Sequence, residues 1–188
     1  MNNNKSSDSD SQLRAVLTPE EVLAYKKVVG RLAKGQICQQ IPNEHPMHAA
    51  ALIETMFDNA EKDVRIFTGK LAKATYDQPD LVAAAARFLE RPGARLRILV
   101  QRQLTHADLQ DRALLAKLNE SVKLEIKQAT GSYAESDANH FAVMDERGFR
   151  FELEHSKSEA VANFNEPRIA RELIAAFDTA FSMGKPLN

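Results

Sequence analysis

The sequence predicts an α/β domain with a partly parallel sheet, on three observations. From Met47 onward, helical and extended hydrophobic patterns alternate along the chain. Apolar residues make up 44% of the 188 residues, enough to fill the core of one ordinary domain with a short extension. Near the end a hairpin and a long helix interrupt the alternation, so the sheet is not wholly parallel.

Residues 1–12 are rich in Asn, Ser and Asp, with no apolar face to bury, and are expected to form a disordered tail. Residues 13–46 are expected to hold an N-terminal helix and a connector. Thr18-Pro19-Glu20-Glu21 starts the helix: Thr18 caps it, Pro19 suits its first position, and Glu21 completes a capping box. Val22, Leu23, Tyr25, Val29 and Leu32 recur at helical spacing, and Gly35 is the stop. The connector runs through Pro42 and Pro46.

The main domain is expected over 47–188. Ala50, Ile53, Phe57 and Ala60 mark one face of a helix from Met47 to Ala60, and Val64–Thr68 follows as a strand. Leu81, Val82, Ala85, Phe88 and Leu89 mark the next helix, stopped by Pro92-Gly93, and Arg95–Val100 is the second strand. Leu109, Ala113, Leu114 and Leu118 predict a third helix, and Val122–Ile126 a third strand. Asn139–Asp145 and Phe149–Glu154 predict a hairpin with Gly148 at its turn. In its second strand Phe149, Phe151 and Leu153 point one way and Arg150, Glu152 and Glu154 the other. A last helix runs from Glu166 to Met183, with Ile169, Leu173, Ala176, Phe177 and Ala180 on its buried face.

Lys and Arg (25) nearly balance Asp and Glu (26), which argues against a generic nucleic-acid coat protein. A single cysteine, Cys38, excludes an intramolecular disulfide framework and an all-cysteine zinc site. No apolar run approaches the ~18–20 residues a membrane crossing needs. The start of the chain lacks the basic-then-apolar form of a secretory signal. A cytoplasmic protein without membrane association is expected.

Three stretches carry a family resemblance. Ala51–Phe67 is a helix leading into a first strand, Gly93–Val100 is the second-strand segment, and Asn165–Asp178 opens the closing helix. In this order and spacing they resemble one half of the phospholipase D superfamily fold. The resemblance implies a mixed sheet flanked by helices, here with an added N-terminal helix. In that family a His-x-Lys motif, followed by Asp, supplies a nucleophilic imidazole and a charge-stabilising amine, and a second His from a paired motif protonates the leaving group. With Asp145 at the family's Asp position, Ala138 stands where the His belongs and His140 where the Lys belongs. The family's Gly-Ser position falls near Glu152-Leu153, which brings a carboxylate toward the site of a bound phosphodiester. The motif is degenerate, and the resemblance implies a non-catalytic module for protein association, ligand sensing or regulation, in a bacterium. A single half-unit per chain implies a homodimer. The alternative is a phosphodiesterase or nuclease in which a dimer brings two copies of His140 together, although Ala142 stands where a Lys would be needed.

His140, Arg150 and Glu152 are the candidate ligand-binding residues. Arg150 offers a fork for a carboxylate or phosphate, and His140 a switchable donor. The plainer reading is an Arg–Glu cross-strand pair on a solvated sheet face. Arg95, Arg97, Lys70 and Lys73 are the nucleic-acid candidates, from a locally basic stretch with few aromatics, and nucleic acid is not the favoured partner. His45 and His48 are read as solvent-accessible histidines at a helix start rather than as ligands of zinc. Gly30–Gly35 is read as a basic helix end. No metal and no cofactor is expected.

Overall fold

In the computed structural model, which describes residues 16–135, 139–154 and 159–187, the first ordered element begins at the predicted capping box. Thr18 Oγ accepts from the Glu21 N–H while the Glu21 carboxylate accepts from the Thr18 N–H. Helix α1 (Pro19–Lys34) ends at Gly35. The expected tail lies outside the described residues.

The predicted elements of the body are present: helix α2 (Pro46–Asn59), strand β2 (Asp63–Thr68), helix α4 (Pro79–Glu90), strand β3 (Arg95–Val100) and helix α7 (Pro167–Met183). The connector holds a strand that periodicity does not mark, β1 (Ile41–Asn43), and a one-turn helix, α3 (Lys73–Tyr76), precedes α4. The expected third helix is two short ones, α5 (His106–Asp111) and α6 (Ala113–Leu118), separated at Arg112, which takes an extended conformation and donates to the Leu71 carbonyl. Strand β4 (Leu124–Gln128) starts later than expected, because Val122 is 96% exposed and lies outside the sheet. A 3-10 turn (Gly131–Ala134) follows. The hairpin is β5 (Phe141–Met144) and β6 (Gly148–Glu154); β7 (Glu159–Asn163) and the two-residue β8 (Lys185–Pro186) complete the set.

These strands form one eight-stranded mixed sheet, ordered β1-β7-β6-β5-β2-β3-β4-β8. β2, β3 and β4 run parallel, and the other pairings are antiparallel. Short proline-containing strands, β1 with Pro42 and β8 with Pro186, occupy the two edges. Alternation divides the strand residues between two cores. On one face Val64, Ile66, Leu96, Ile98, Val100, Ala142 and Met144 meet Leu52, Ile53, Met56 and Phe57 of α2 and Leu81 and Phe88 of α4. On the other, Phe67, Leu99, Phe141, Val143 and Phe149 meet Ala170, Phe177, Ala180 and Phe181 of α7. Ala176, expected on the buried stripe of α7, is exposed, and Phe181 takes part in its place. Burying each of these phenylalanines contributes about 2–3 kcal/mol. α1 packs across α2 and buries Val29, Leu32 and Ala33.

The hairpin turn differs from expectation in its key residue. The left-handed conformation falls on Asp145 (φ 46°), a residue type that tolerates it, rather than on Gly148. Gly148 instead opens β6 where a Cβ would come within 2.9 Å of Met144 Cε. The Asp145 carboxylate accepts from the backbone N–H groups of Glu61, Lys62 and Asp63 at 2.8, 3.0 and 3.1 Å. Arg147 donates to the carbonyls of Asn59 and Phe164. The hairpin is thereby fastened to the start of β2, which sets where its side chains meet the rest of the sheet.

Candidate functional site

The period-two alternation of β5 and β6 puts His140, Arg150 and Glu152 on the α2 side of the sheet, and Phe141, Phe149 and Phe151 on the α7 side. The backbone N–H of Glu152 donates to the His140 carbonyl at 2.9 Å, so the two side chains stand beside each other across the ladder. His140 Nδ1 lies 2.9 Å from Glu152 Oε2, and Arg150 Nη1 donates to Glu152 Oε1 at 2.9 Å. The three residues singled out from the sequence form one cluster.

The solvated-face reading of Arg150 is corrected by its surroundings: it is 5% exposed, because the first turn of α2 and the loop after β2 cover this end of the sheet. Its Nε donates to Asn43 Oδ1 at 3.3 Å, so the overlooked strand β1 supplies a partner to the site. Gln101, at the end of β3, supplies another, with its Oε1 2.7 Å from His140 Nε2. The amide orientation follows from its other end, where Gln101 Nε2 donates to the carbonyls of Glu135 and Tyr133 at 2.8 and 3.4 Å. Neither Asn43 nor Gln101 carries a local sequence signal.

Two oxygen-bearing side chains hold the His140 ring. Burial alone would push the Glu152 carboxyl up, but the His140 hydrogen bond and the charge and hydrogen bond of Arg150 outweigh it and hold the group at about 2. The carboxylate is therefore an acceptor only, as is the Gln101 carbonyl oxygen. Each ring nitrogen of His140 therefore has an oxygen of a neighbouring side chain opposite it. Gly69 makes room for the ring: a Cβ there would lie 3.2 Å from His140 Cε1 and 3.3 Å from Nε2. Phe67 meets the ring edge-on at 6.3 Å between centroids.

In front of this cluster is a cavity of about 220 Å³, at the carboxyl end of β2, where a parallel neighbour lies on one side and an antiparallel one on the other. Such a crevice is where open α/β sheets place ligands. Beyond the cluster, its lining includes Thr68, Lys70, Thr75, Tyr76 and His45. Burial, partly opposed by Arg150 and reinforced by Glu152, pushes the Tyr76 hydroxyl up to about 12, so it stays protonated and able to donate. His45 caps α2, with Nδ1 accepting from the Met47 N–H at 3.1 Å.

His48 stacks on Tyr25 with ring centroids 3.9 Å apart, so it is half-buried against α1 rather than solvated. Burial, with the neighbouring His45, holds it below the usual histidine range. Among the described residues, no group of three or more His, Cys, Asp or Glu side chains is placed to hold a metal ion.

The four basic candidates do not form one surface. Arg95 and Arg97 share a face, as alternation predicts, but α7 covers it at Arg97 and leaves Arg95 exposed. Arg97 is 8% exposed and donates to Asp178 at 2.8 Å and to Asp63 at 3.2 Å, while Arg95 donates to Asp63 at 2.8 Å. The Arg97 guanidinium also lies 5.7 and 5.8 Å from the ring centroids of Phe177 and Phe181. Lys70 and Lys73 lie beyond the opposite end of β2; Lys70 lines the cavity and Lys73 pairs with Asp111. No described helix is long and apolar enough to cross a membrane.

Solved structures of similar shape identify the fold. TrmBL2, an archaeal chromatin protein whose structure shows a mode of DNA binding, superposes with a TM-score of 0.60 at 15% identity, over 89% of this chain and 64% of that one. The chain thus spans just under two thirds of TrmBL2. NucT from Helicobacter pylori superposes with a TM-score of 0.58 at 8% identity, over 79% of this chain and 98% of that one. The phospholipase D family member Nuc from Salmonella typhimurium gives 0.51 at 15% identity, over 79% and 95%. The mixed sheet flanked by helices is therefore of the phospholipase D kind. No curated protein matches the chain in sequence. The chain belongs to the family described as Domain of unknown function (DUF7931), whose model matches residues 45–188.

Proposed function

We propose that this DUF7931 chain is a phospholipase D-like module without phosphodiesterase activity, which acts in the cytoplasm as a homodimer, through protein association or ligand sensing. One observation carries the reading: both ring nitrogens of His140 face acceptors, Glu152 at 2.9 Å and Gln101 at 2.7 Å. A nucleophilic imidazole needs a ring nitrogen directed at phosphorus, and both nitrogens of His140 are directed at neighbouring side chains instead. Glu152 adds a negative charge where a phosphodiester would have to sit. The remaining motif position, Ala138, has no nucleophilic side chain in the sequence and lies outside the described residues. The fold is shared by a chromatin protein and by a phospholipase D family member, so it leaves the chemistry to be argued from the site.

The test combines hydrolysis with assembly. Purified protein is incubated with bis(p-nitrophenyl) phosphate and with single- and double-stranded DNA, and its mass is measured by light scattering. The expected result is no turnover and a mass twice the chain's 21.0 kDa. Hydrolysis that disappears in His140→Ala would replace this reading with the enzymatic one, and a monomer at micromolar concentration would remove the dimer from it.

A further inference from the structure

We propose that His140 and Arg150 form a cradle for a small oxyanion and that Glu152 is its resident ligand, an anion the chain supplies from its own strand. The proposal rests on the non-catalytic reading of the site and adds what fills it. The two carboxylate oxygens are taken separately, Oε2 by His140 and Oε1 by Arg150, as a bridging oxyanion would be. Each of the two side chains also has an anchor that does not involve Glu152. Arg150 donates to Asn43, and His140 is held by Gln101, whose amide is fixed by two backbone carbonyls. The seat therefore persists when the carboxylate is cut away.

What surrounds the seat favours an anion. Lys70, the Tyr76 hydroxyl, and the hydroxyls of Thr68 and Thr75 line the adjoining cavity of about 220 Å³, which shortening Glu152 would enlarge. The first turn of α2 lines it too, adding the positive end of a 14-residue helix. In the wild-type chain Glu152 already supplies the negative charge, so a phosphate or carboxylate from solution finds the seat occupied. Glu152→Ala vacates it and leaves a buried guanidinium and an imidazole without their shared counter-ion.

Chemical rescue of the full chain tests this. Thermal melts of wild type and Glu152→Ala are recorded at pH 7 with sodium phosphate or sodium formate, against chloride at matched ionic strength. The variant is expected to melt below wild type in chloride and to regain on the order of 5 °C at about a hundredfold excess of either oxyanion over its Kd. Wild type should shift by less than about 1 °C under the same binding linkage. Adding Arg150→Met to the variant should abolish the response. If Glu152→Ala does not fold in chloride, Glu152→Ser is measured in the same way. The proposal is overturned if neither variant responds to oxyanion more than wild type does, or if both stay unfolded in saturating phosphate. Phosphodiester hydrolysis by wild type would sink the non-catalytic reading instead, and the melts do not depend on that result.

Discussion

Replacing Asp145 tests how the hairpin is fastened, and with it the position of every side chain in the site. Its carboxylate accepts three backbone N–H bonds from the start of β2. Bonds to a charged group contribute about 1.5–3 kcal/mol each when buried and nearer 1 kcal/mol at the surface. Two of the three are exposed, so the set is worth about 3–4 kcal/mol. Alanine loses all three and keeps the left-handed backbone at φ 46°, a strain of about 1 kcal/mol that the wild-type aspartate already carries. Glycine loses the bonds but adopts that conformation freely, and asparagine retains one acceptor oxygen. The expected order of destabilisation is Asp145→Ala, about 3–4 kcal/mol, then Gly, about 2–3, then Asn, about 1–2. Equilibrium urea unfolding reads it directly: with a slope of about 2–3 kcal/mol/M, the alanine midpoint falls by roughly 1–2 M at unchanged slope. Alanine and glycine variants both within about 1 kcal/mol of wild type, or alanine no worse than glycine, would refute the reasoning.

Three further outcomes are expected. The Glu152 carboxyl is held at about 2 in the folded chain against an ordinary 4.5, so its stabilisation is complete above pH 4.5 and is lost as pH falls toward 2. The shift corresponds to roughly 3 kcal/mol. The stability gap between wild type and Glu152→Gln should therefore close over that window in denaturant titrations, and a pH-independent gap contradicts the assignment. Asp178→Ala takes a carboxylate from buried Arg65 and Arg97 and should cost about 2 kcal/mol, the partner Asp63 remaining. Arg168→Ala, which loses only an exposed pair with Glu172, should stay within about 0.5 kcal/mol, and equal effects of the two would count against the buried network. Gly69→Ala puts a methyl group 3.2 Å from the His140 ring, and should cost about 1 kcal/mol and shift the His140 ring resonances in NMR; unshifted resonances would mean the ring is not seated there.

What could be read from the sequence was whatever local chemistry encodes. The capping box at Thr18 and Glu21, the apolar residues Ile98, Leu99 and Val100 that end β3 and the alternation along β6 are all visible within a few residues. That alternation sufficed to put His140, Arg150 and Glu152 on one side of the sheet. It could not tell whether that side was wet. Burial of Arg150 comes from the α2 turn and from β1, a three-residue strand whose ladder partner, β7, lies more than a hundred residues away. Gln101 and Asn43 are ordinary residues until the fold brings them to the cluster. Arg97 shows the same limit: its face was legible, but Asp178 on a helix some eighty residues later turns a basic surface residue into a buried ion pair. Val122 misled in the opposite direction, an apolar residue of good strand propensity lying wholly in solvent.

The outermost strands have a consequence for self-association. A sheet recruits a neighbouring chain through a continuous row of amides, and here the rims are three and two residues long, each interrupted by a proline ring that has no amide proton to give. Beside β8, which among the described residues pairs only with Lys127 and Gln128, the β4 residues Leu124 to Ile126 form the longest open stretch on that rim, shorter than the six or seven residues a fibril-forming segment uses. Edge-to-edge contact between copies is thus confined to short stretches, and concentrated solutions should show no cross-β signature while the native sheet is intact.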